Sequence, residues 1–487
     1  MVAQGESPIA LIRPGPAEAV YRMDAVWHQV GEAIRACLGG DRGLGMRVVG
    51  LAFDATPGLV LRCGGGLPLA GGGDVFAAGD RRAGEEAGAI AALGGPVAEG
   101  HLARLLWLKR RAPETWARLN SVRDLADELV LRATGNDRHS LATIAARWPF
   151  RAGADDPWQH GLLAAIGLDD VWGLGALAGD PVPLGQAQGK LVDAVASYLG
   201  LPPGIPVSPG LLDAQAGLLG TIGRRPRRAA GQVTLVAGRS APLVLLAAGG
   251  RVVPGMAGPW PDAILPGLSL YQGGADWSGE ALDRVLEAGL GIADGAAHGS
   301  VAAEILALLE REGPGFAAMC HVLPREDGGL AMGAATGVGV GRGRRGLLEA
   351  YYAVARGLAL AAGEAVAGLR AQGLPVSRVA LAGGQARNAL MERLYRDTLG
   401  CDLVVTRHPE PVLLGTAMMA AVAAGVHPDM AAAIEVMAPA QARLAPDPFW
   451  RRAHAAADEI RRGLVLAQAA AERGAGALAG MGRSGTR

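Results

Sequence analysis

The stretch PVSPGLLDAQAGLLGTIG, Pro206 to Gly223, places one carboxylate, Asp213, among small and apolar residues. The next charged residue is Arg224. An isolated acid in such a run is either a helix N-cap or a group that does chemistry. As an N-cap, the Asp213 side chain would accept hydrogen bonds from the free backbone N–H groups that open a helix running from Ala214 to Gly223. Both interpretations are open on this stretch alone.

The composition excludes several classes of protein. The chain has 487 residues, of which 50% are hydrophobic and 19% charged, and its formal net charge is zero. A neutral chain of this kind indicates neither a nucleic-acid-binding surface nor a polybasic membrane patch. The four cysteines are far apart and lack metal-ligand spacing, which fits a reducing cytoplasm without disulfides. No signal peptide is evident, and the most apolar helix, from Pro411 to Val426, is too short to span a membrane.

Apolar strands and amphipathic helices alternate along the whole chain, which predicts a layered α/β fold. In the first half, MRVVGLAF (46–53) reads as a strand, and DLADELVLRATG (124–135) reads as a helix that ends at glycine. After a basic connector the sequence pattern becomes typical of strands, beginning with QVTLVAG (232–238). The length alone predicts at least two domains. We place the first at 1–229 and the second at 230–465, followed by a flexible alanine- and glycine-rich tail at 466–487.

The segment VALAGGQARNALMERLYRD (379–397) is the best candidate for nucleotide binding. A buried strand ends at Gly383-Gly384, and a helix opens near Asn388. Paired glycines let a base or ribose approach the backbone closely, and a helix N-terminus offers free N–H groups. An ordinary strand-to-helix loop would have the same pattern, so the segment is not decisive by itself.

The order of motifs along the chain is more specific than any one of them. It runs FDATPGLVL (53–61), GDRRAGEEA (79–87), LLWLKRRAPETWAR (105–118), DLADELVLRATG, LPPGIPVSPGLLDAQAGLLG (201–220), VVPGMAGPW (252–260), GGQARNALMERLYRD (383–397) and PEPVLLGTAMMAAVAAG (409–425). This series resembles the FGGY carbohydrate kinases, and within them the ribulokinase-like pentulose kinases. The similarity extends from about residue 8 to residue 450.

The resemblance implies an α/β fold of two ribonuclease-H-like domains, of the actin and hexokinase type, with sugar and ATP meeting in the cleft between them. It implies a cytoplasmic, ATP- and Mg2+-dependent kinase that phosphorylates a hydroxyl group of a ketopentose such as ribulose, or of a related polyol. In this family an aspartate placed as Asp213 is here takes the proton from the attacking sugar hydroxyl. A general base of this kind must be a carboxylate with few competing charges beside it.

Other site residues follow from the resemblance position by position. Asp80 and Arg81 match a segment that lines the sugar pocket, and Asp54 matches a neighbouring strand end; a surface salt bridge between the first two and a helix cap for Asp54 are the alternatives. The nucleotide-binding positions that match the family are Gly238, Arg239, Ser240, Gly383, Gly384 and Asn388. No metal ligand is assigned, and a homodimer is left open.

The sequence also departs from the family pattern. The N-terminal hairpin with a D-x-G-T loop that contacts ATP phosphates in the family is lacking ahead of Met1. The second phosphate loop, expected to read like GTST, is GRSA (238–241), so that Arg239 stands where a small hydroxyl residue is expected. Either the sequence is an incomplete kinase, or phosphoryl transfer is impaired. The alternative function is therefore a pseudokinase that binds a sugar or a nucleotide without catalysis.

Overall fold

The structure is a computed structural model, and it describes residues 2–64, 68–93, 100–151, 153–174, 180–226, 231–238, 241–275, 279–318, 320–324, 330–334, 342–374 and 376–484. It forms two compact units that are interleaved along the chain. The first comprises Met1–Ala230, Val244–Gly273 and Glu410–Ala440, and the second Gly231–Leu243, Gly274–Pro409 and Gln441–Arg487. These units are not continuous segments, and the domain limits at 229 and 465 stay a prediction.

The elements of the first 226 residues alternate short strands with helices, as expected for an α/β chain. The strands are β1 (Val20–Tyr21), β2 (Asp54–Ala55), β3 (Leu59–Cys63), β4 (Val75–Phe76), β5 (Leu119–Asp124), β6 (Gly189–Lys190), β7 (Pro206–Val207) and β8 (Leu211–Leu212). The helices are α1 (Met23–Leu38), α2 (Arg42–Gly45), α3 (Gly84–Ala92), α4 (His101–Arg111), α5 (Pro113–Trp116), α6 (Leu125–Thr134), α7 (Leu141–Arg147), α8 (His160–Ile166), α9 (Asp193–Leu199) and α10 (Asp213–Thr221).

Longer strands and helices follow after residue 231. The strands are β9 (Gln232–Val236), β10 (Ala241–Ala247), β11 (Ala257–Pro261), β12 (Ser269–Ala275), β13 (Cys320–Pro324), β14 (Leu330–Ala334), β15 (Arg378–Ala382), β16 (Asp402–Thr406) and β17 (Gln441–Leu444). The helices are α11 (Glu280–Leu290), α12 (Gly295–Glu312), α13 (Gly343–Ala371), α14 (Ala389–Thr398), α15 (Pro411–Ala423), α16 (Met430–Met437) and α17 (Pro448–Ser484).

In the first unit, an antiparallel sheet of order β1-β4-β3-β5 separates two apolar cores. Leu59 and Leu61 of β3 belong to one core and Val60 to the other, because successive strand side chains point to opposite faces. Helix α4 covers the first face and α6 the second. Two leucines and a valine in alternation thus bury both faces of the sheet.

A second, parallel strand pair in this unit leads to the candidate site. Strand β2 pairs with β8, with Asp54 opposite Leu211 and Ala55 opposite Leu212. Helix α10 begins at Asp213, immediately after β8. The strand predicted at 46–53 is therefore displaced: pairing in this region is limited to an isolated bridge at Leu51 and to β2.

In the second unit, β15 lies between β9 and β16, and both pairings are parallel. Strand β17 adds an antiparallel edge beside β16. The core of β15 is an apolar run, Val379 to Ala382, in which every residue is buried, as the sequence of a central parallel strand predicts. Helix α14 occupies the segment predicted to be helical after Asn388, and the long helix α13 precedes β15 in the chain.

Two helices differ in extent or environment from simple expectation. Helix α17 continues to Ser484, where the sequence analysis expects a flexible tail, because its many alanines favour a helical backbone. Among the described residues, α13 is the one helix that is long and apolar enough to cross a membrane. Most of its residues are buried within the protein, as in the core helix of a globular fold.

Helices α10 and α15 pack in direct backbone contact within the first unit. A Cβ atom added to Gly415 in α15 would lie 2.0 Å from the carbonyl oxygen of Ala216 in α10. Glycine at this position therefore sets how closely α15 approaches the helix that carries Asp213.

We expect Gly415→Ala to lower the free energy of unfolding by about 3 kcal/mol, because the added methyl group forces the two helices apart. Gly463→Ala in the exposed part of α17, where an added Cβ meets nothing within 4 Å, is the matched control and should stabilise slightly. Urea denaturation of both variants measures the difference. Equal effects of the two substitutions would contradict a close contact at Gly415.

Candidate functional site

Asp213 occupies the first turn of α10, one residue past the position of an N-cap. The N-cap is Leu212, whose backbone N–H donates to Oε1 of Gln215 at 3.0 Å. Oδ1 of Asp213 accepts a hydrogen bond from the backbone N–H of Ala214 at 2.7 Å. Among the described residues, no partner is found for the other carboxylate oxygen. Asp213 is thus not the N-cap that its sequence context allows, and one of its oxygens is available to a ligand.

The pKa of Asp213 is strongly shifted by its surroundings. Burial against protein atoms, and then the charge of Asp54, raise the pKa of Asp213 from 3.8 to about 7. The carboxylate of Asp124 adds to this effect, while the Ala214 N–H and the charge of Arg147 oppose it. A carboxylate with a pKa near neutrality can accept a proton from a substrate at physiological pH and then release it.

Asp54 forms the second acid of the site. Because Leu211 lies opposite Asp54 in the β2–β8 pair, and side chains two residues apart in a strand share a face, the start of α10 brings Asp213 to the side of Asp54. Burial raises the pKa of Asp54 to about 6. A hydrogen bond with the Thr416 side chain in α15 acts in the opposite direction and lowers this pKa. The alternative in which Asp54 caps a helix is not what the structure shows, since Asp54 lies in a strand.

A buried polar network holds the opposite side of the site. Asp127 in α6 accepts hydrogen bonds from the Ser140 N–H at 2.9 Å and from the Thr143 hydroxyl at 2.6 Å, both at the start of α7. Nε2 of Gln215 in α10 donates to the carbonyl of Ala142 in α7 at 3.0 Å. These bonds fix α7 and the first turn of α10 together, so that the position of Asp213 is set by the fold.

Arg147, at the end of α7, was not among the predicted site residues. Its charge acts on Asp213, and it partly offsets the two neighbouring carboxylates. In the sequence, Arg147 is an ordinary cation at the end of a short apolar helix, 66 positions before Asp213, and nothing local marks it. Only the folded arrangement brings the two groups into electrostatic contact.

Asp80 lies in a buried ion pair, and its partner differs from the predicted one. Its carboxylate accepts from Nη2 of Arg82 at 2.7 Å and from the backbone N–H of Ala19 at 2.9 Å. The Arg82 guanidinium lies over the rings of Phe76 and Trp107, at 4.8 and 5.0 Å from their centroids. The predicted alternative of a surface salt bridge between Asp80 and Arg81 is therefore wrong, because Asp80 pairs with Arg82. This ion pair holds the segment between β4 and α3 in place.

Arg81 instead contributes to a very small cavity of about 10 Å3. The cavity is lined by Asp80, Arg81, Ala83, Gly84, Gly100, Ala103 and Arg104. The role of Asp80 and Arg81 in binding a substrate stays a prediction.

In the second unit, the predicted glycine positions lie around one turn. Gly383 has a φ of 85°, and a Cβ there would lie 2.6 Å from the carbonyl oxygen of Ala237, so only glycine fits. Gln385 connects this turn to the end of β9, because its backbone N–H donates to Ala237 at 3.0 Å and its Nε2 donates to the carbonyl of Gly238 at 3.1 Å. The structure thus brings Gly238, Gly383 and the exposed Gly384 together.

Asn388 caps the helix that follows the turn. Its Oδ1 accepts hydrogen bonds from the N–H groups of Leu390 and Met391, at 3.0 and 3.3 Å. Helix α14 therefore opens where the sequence predicts it. Arg239 and Ser240 lie outside the described residues.

Metal binding is tested by the donor set that the described residues provide. No group of three or more histidine, cysteine or acidic side chains that could hold a metal ion occurs in this part of the chain. Asp54 and Asp213 supply carboxylate oxygens of the type that Mg2+ accepts, but two acids do not form a cage. A Mg2+ ion that enters with its coordinating phosphates fits these residues better than a resident ion does.

Comparison with known proteins shows similarity to one family. The model of the FGGY family of carbohydrate kinases, C-terminal domain, matches residues 238–424. The FGGY carbohydrate kinase domain-containing protein of Xenopus laevis is 29% identical over 69% of this chain, and that of Danio rerio is 27% identical over 92%. The chain covers 66% of the former, just under two thirds, and 90% of the latter. A ribulokinase of Halalkalibacterium halodurans is 28% identical over 51% of this chain and 45% of its own length.

Solved structures agree in fold. Xylulose kinase from Rhodospirillum rubrum superposes with a TM-score of 0.69 at 21% identity, covering 95% of this chain and 92% of that one. Glycerol kinase from Plasmodium falciparum, determined with ADP, has a TM-score of 0.64 at 13% identity, covering 94% and 92%. The α/β fold predicted from the sequence, of two ribonuclease-H-like domains, is confirmed by these likenesses.

The raised pKa of Asp213 predicts that this residue costs stability at neutral pH. Because the folded chain binds the Asp213 proton more tightly than the unfolded chain does, stability falls as the pH rises from about 4 to about 7. We expect Asp213→Asn to stabilise the fold by about 1–3 kcal/mol at pH 8, after allowance for partial solvent screening, and by little at pH 4.

Urea denaturation at the two pH values measures this effect. Asp155→Asn, at an exposed loop position, controls for the loss of one negative charge. A variant that is less stable than the parent at pH 8 would show that the Asp213 carboxylate is stabilised by its surroundings, contrary to the burial described above.

Proposed function

We propose that this chain, which belongs to the FGGY family of carbohydrate kinases, transfers the terminal phosphoryl group of ATP to a hydroxyl group of a ketopentose such as ribulose, or of a related polyol. The observation that carries the proposal is Asp213 at the start of α10, a half-buried carboxylate whose raised pKa suits it to accept a proton. The ribulokinase and xylulose kinase names among the similar proteins support a five-carbon substrate.

In this proposal, Asp213 takes the proton of the attacking hydroxyl through its free carboxylate oxygen. The sugar oxygen then forms a bond to the terminal phosphorus of ATP while the bond to the leaving ADP oxygen breaks. The hydrogen bond from Ala214 holds the other Asp213 oxygen, so the carboxylate keeps one orientation as the proton moves. The charge of Arg147 lowers the pKa of Asp213 and partly offsets the effect of Asp54 and Asp124, which leaves the base ionised in a useful fraction of molecules.

The second unit would hold ATP by its backbone. Gly238, Gly383 and Gly384 form a surface without side chains, on which a base or ribose can lie close to the main chain. The proposed nucleotide-binding set also includes Asn388, and Arg239 and Ser240 of the phosphate loop. Mg2+ would arrive on the ATP phosphates and would supply charge neutralisation of the transferring group.

Asp54 is proposed to contact the sugar as well as to tune Asp213, and Arg81, with Asp80, to border the sugar site. A cytoplasmic location is proposed too, and the four cysteines, which are all free thiols, support it. We further propose that two copies of the protein associate into a homodimer.

The direct test of the proposal is Asp213→Asn. Asparagine keeps the size of the side chain but cannot take the sugar proton, so we expect turnover to fall by roughly 10²–10⁴-fold with little change in sugar affinity. Turnover is measured with Mg-ATP and a panel of pentuloses and polyols, and affinity by calorimetry. Asp155→Asn is again the control and should retain turnover.

Two outcomes would contradict the proposal. Undiminished turnover of Asp213→Asn would remove Asp213 as the base. A parent protein that binds a sugar or a nucleotide but phosphorylates none of the panel would instead support the non-catalytic binding protein, the alternative that the altered GRSA loop favours.

A second test uses the coupling between the two acids. Since the charge of Asp54 raises the pKa of Asp213, Asp54→Asn should shift the acid limb of the kcat/KM profile, which should have its midpoint near pH 7, to lower pH. Thr416→Val should produce a smaller shift in the same direction, because loss of its hydrogen bond raises the pKa of Asp54 and keeps Asp54 neutral over a wider range. An acid limb that stays in place in Asp54→Asn would show that the two carboxylates do not interact.

A further inference from the structure

Four side chains form one continuous hydrogen-bonded chain that ends at Asn388. Nδ2 of Asn388 donates to the hydroxyl of Tyr351 at 3.1 Å. The Tyr351 hydroxyl lies 2.8 Å from Nδ1 of His298, and Nε2 of His298 lies 3.0 Å from Oδ1 of Asp283. Each residue belongs to a different helix, in the order α14, α13, α12 and α11, and all four lie within the second unit.

The donors and acceptors in this chain fit one proton arrangement. Oδ1 of Asn388 is occupied by the two N–H groups of α14, so Nδ2 must face Tyr351. The Tyr351 hydroxyl then accepts from Asn388 and donates to Nδ1 of a neutral His298, whose Nε2–H donates to the Asp283 carboxylate. A protonated His298 would donate at both nitrogens and leave the Tyr351 hydroxyl proton without an acceptor among these residues.

Burial makes the chain rigid at its centre. The Tyr351 side chain is fully buried, and burial raises its pKa to about 12, so that the hydroxyl keeps its proton. His298 and Asp283 are about one quarter exposed, which gives the Asp283 carboxylate contact with solvent at the outer end. Among the described residues, Asn388 has a single N–H without a partner, and the direction of that N–H is fixed by three hydrogen bonds.

We propose that Tyr351, His298 and Asp283 are positioning residues that aim the free amide N–H of Asn388 at an acceptor atom on the bound nucleotide. This inference rests on the proposed function, in which the Gly383-Gly384 turn holds ATP. None of the three residues touches the nucleotide; they act through Asn388 by fixing its amide plane. Their loss should therefore weaken nucleotide binding while it leaves the sugar site, which belongs to the first unit in this proposal, unchanged.

The experiment compares four variants by calorimetry with ADP and by steady-state kinetics. Tyr351→Phe and His298→Phe remove the chain, and each should raise the Kd for ADP and the KM for ATP by roughly tenfold, the usual worth of one oriented hydrogen bond. The kcat at saturating ATP and the KM for sugar should stay within about twofold of the parent. His298→Gln should restore binding to within about threefold, because a glutamine can accept from Tyr351 and donate to Asp283.

Tyr352→Phe is the matched control. Tyr352 is the next residue of α13 and is also buried, but no hydrogen bond is found between it and Asn388, Tyr351, His298 or Asp283 among the described residues. Thermal unfolding of each variant checks that the fold is kept. Nucleotide binding by Tyr351→Phe at the parent's affinity would overturn the inference, and so would an equal loss of sugar and nucleotide affinity, which indicates a general structural role. A parent protein that binds no ADP or ATP would refute the proposed function itself, and the positioning role with it.

Discussion

The partial burial of two carboxylates, Asp54 and Asp213, at one strand pair is the constraint on which the proposed chemistry depends. Parallel pairing of β2 with β8 sets Asp54 beside the start of α10, and the packing of α15 against α10 surrounds both acids with protein. Water would solvate these charges at little cost, whereas the protein solvates them poorly, and the pKa values of both rise in consequence. The same packing that holds α10 in place thus gives Asp213 a pKa near neutrality, as the base in the proposed reaction requires.

Two neighbouring carboxylates repel each other when both are charged, and this repulsion favours their protonated forms. The two acids would remain protonated if nothing opposed it. Two features of the fold oppose it: the backbone N–H of Ala214, the second residue of α10, donates to Asp213, and α7 carries the charge of Arg147 toward it. Helix α7 is itself held by Asp127, a carboxylate whose oxygens accept several short hydrogen bonds and which serves no chemistry of its own. The site therefore uses one acid, Asp127, as structural support beside the acid that is proposed to act as the base.

The features that could be predicted from the sequence are those that local patterns determine. The apolar run of β15, the glycine turn after it and the opening of α14 at Asn388 all follow from periodicity and capping within about twenty residues. Asp213 could be identified as a candidate because no other charge stands near it in the sequence. Whether Asp213 is a helix cap or a base could not be decided from the sequence. The answer depends on Gln215, whose side chain accepts the hydrogen bond from the Leu212 N–H.

The remaining features depend on contacts between distant segments. Arg147 reaches Asp213 only through the placement of α7, and Arg82 rather than Arg81 pairs with Asp80 because the rings of Phe76 and Trp107 form a site for its guanidinium. The Asn388 amide shows the same limit, since its neighbours in the sequence explain the helix cap and say nothing of Tyr351, 37 positions earlier. A single asparagine thereby ends one local motif and begins a chain across four helices. The helix cap occupies Oδ1 of Asn388, and the hydrogen bond to Tyr351 orients Nδ2. The direction of the remaining Nδ2–H is therefore set by residues of four helices of the second unit.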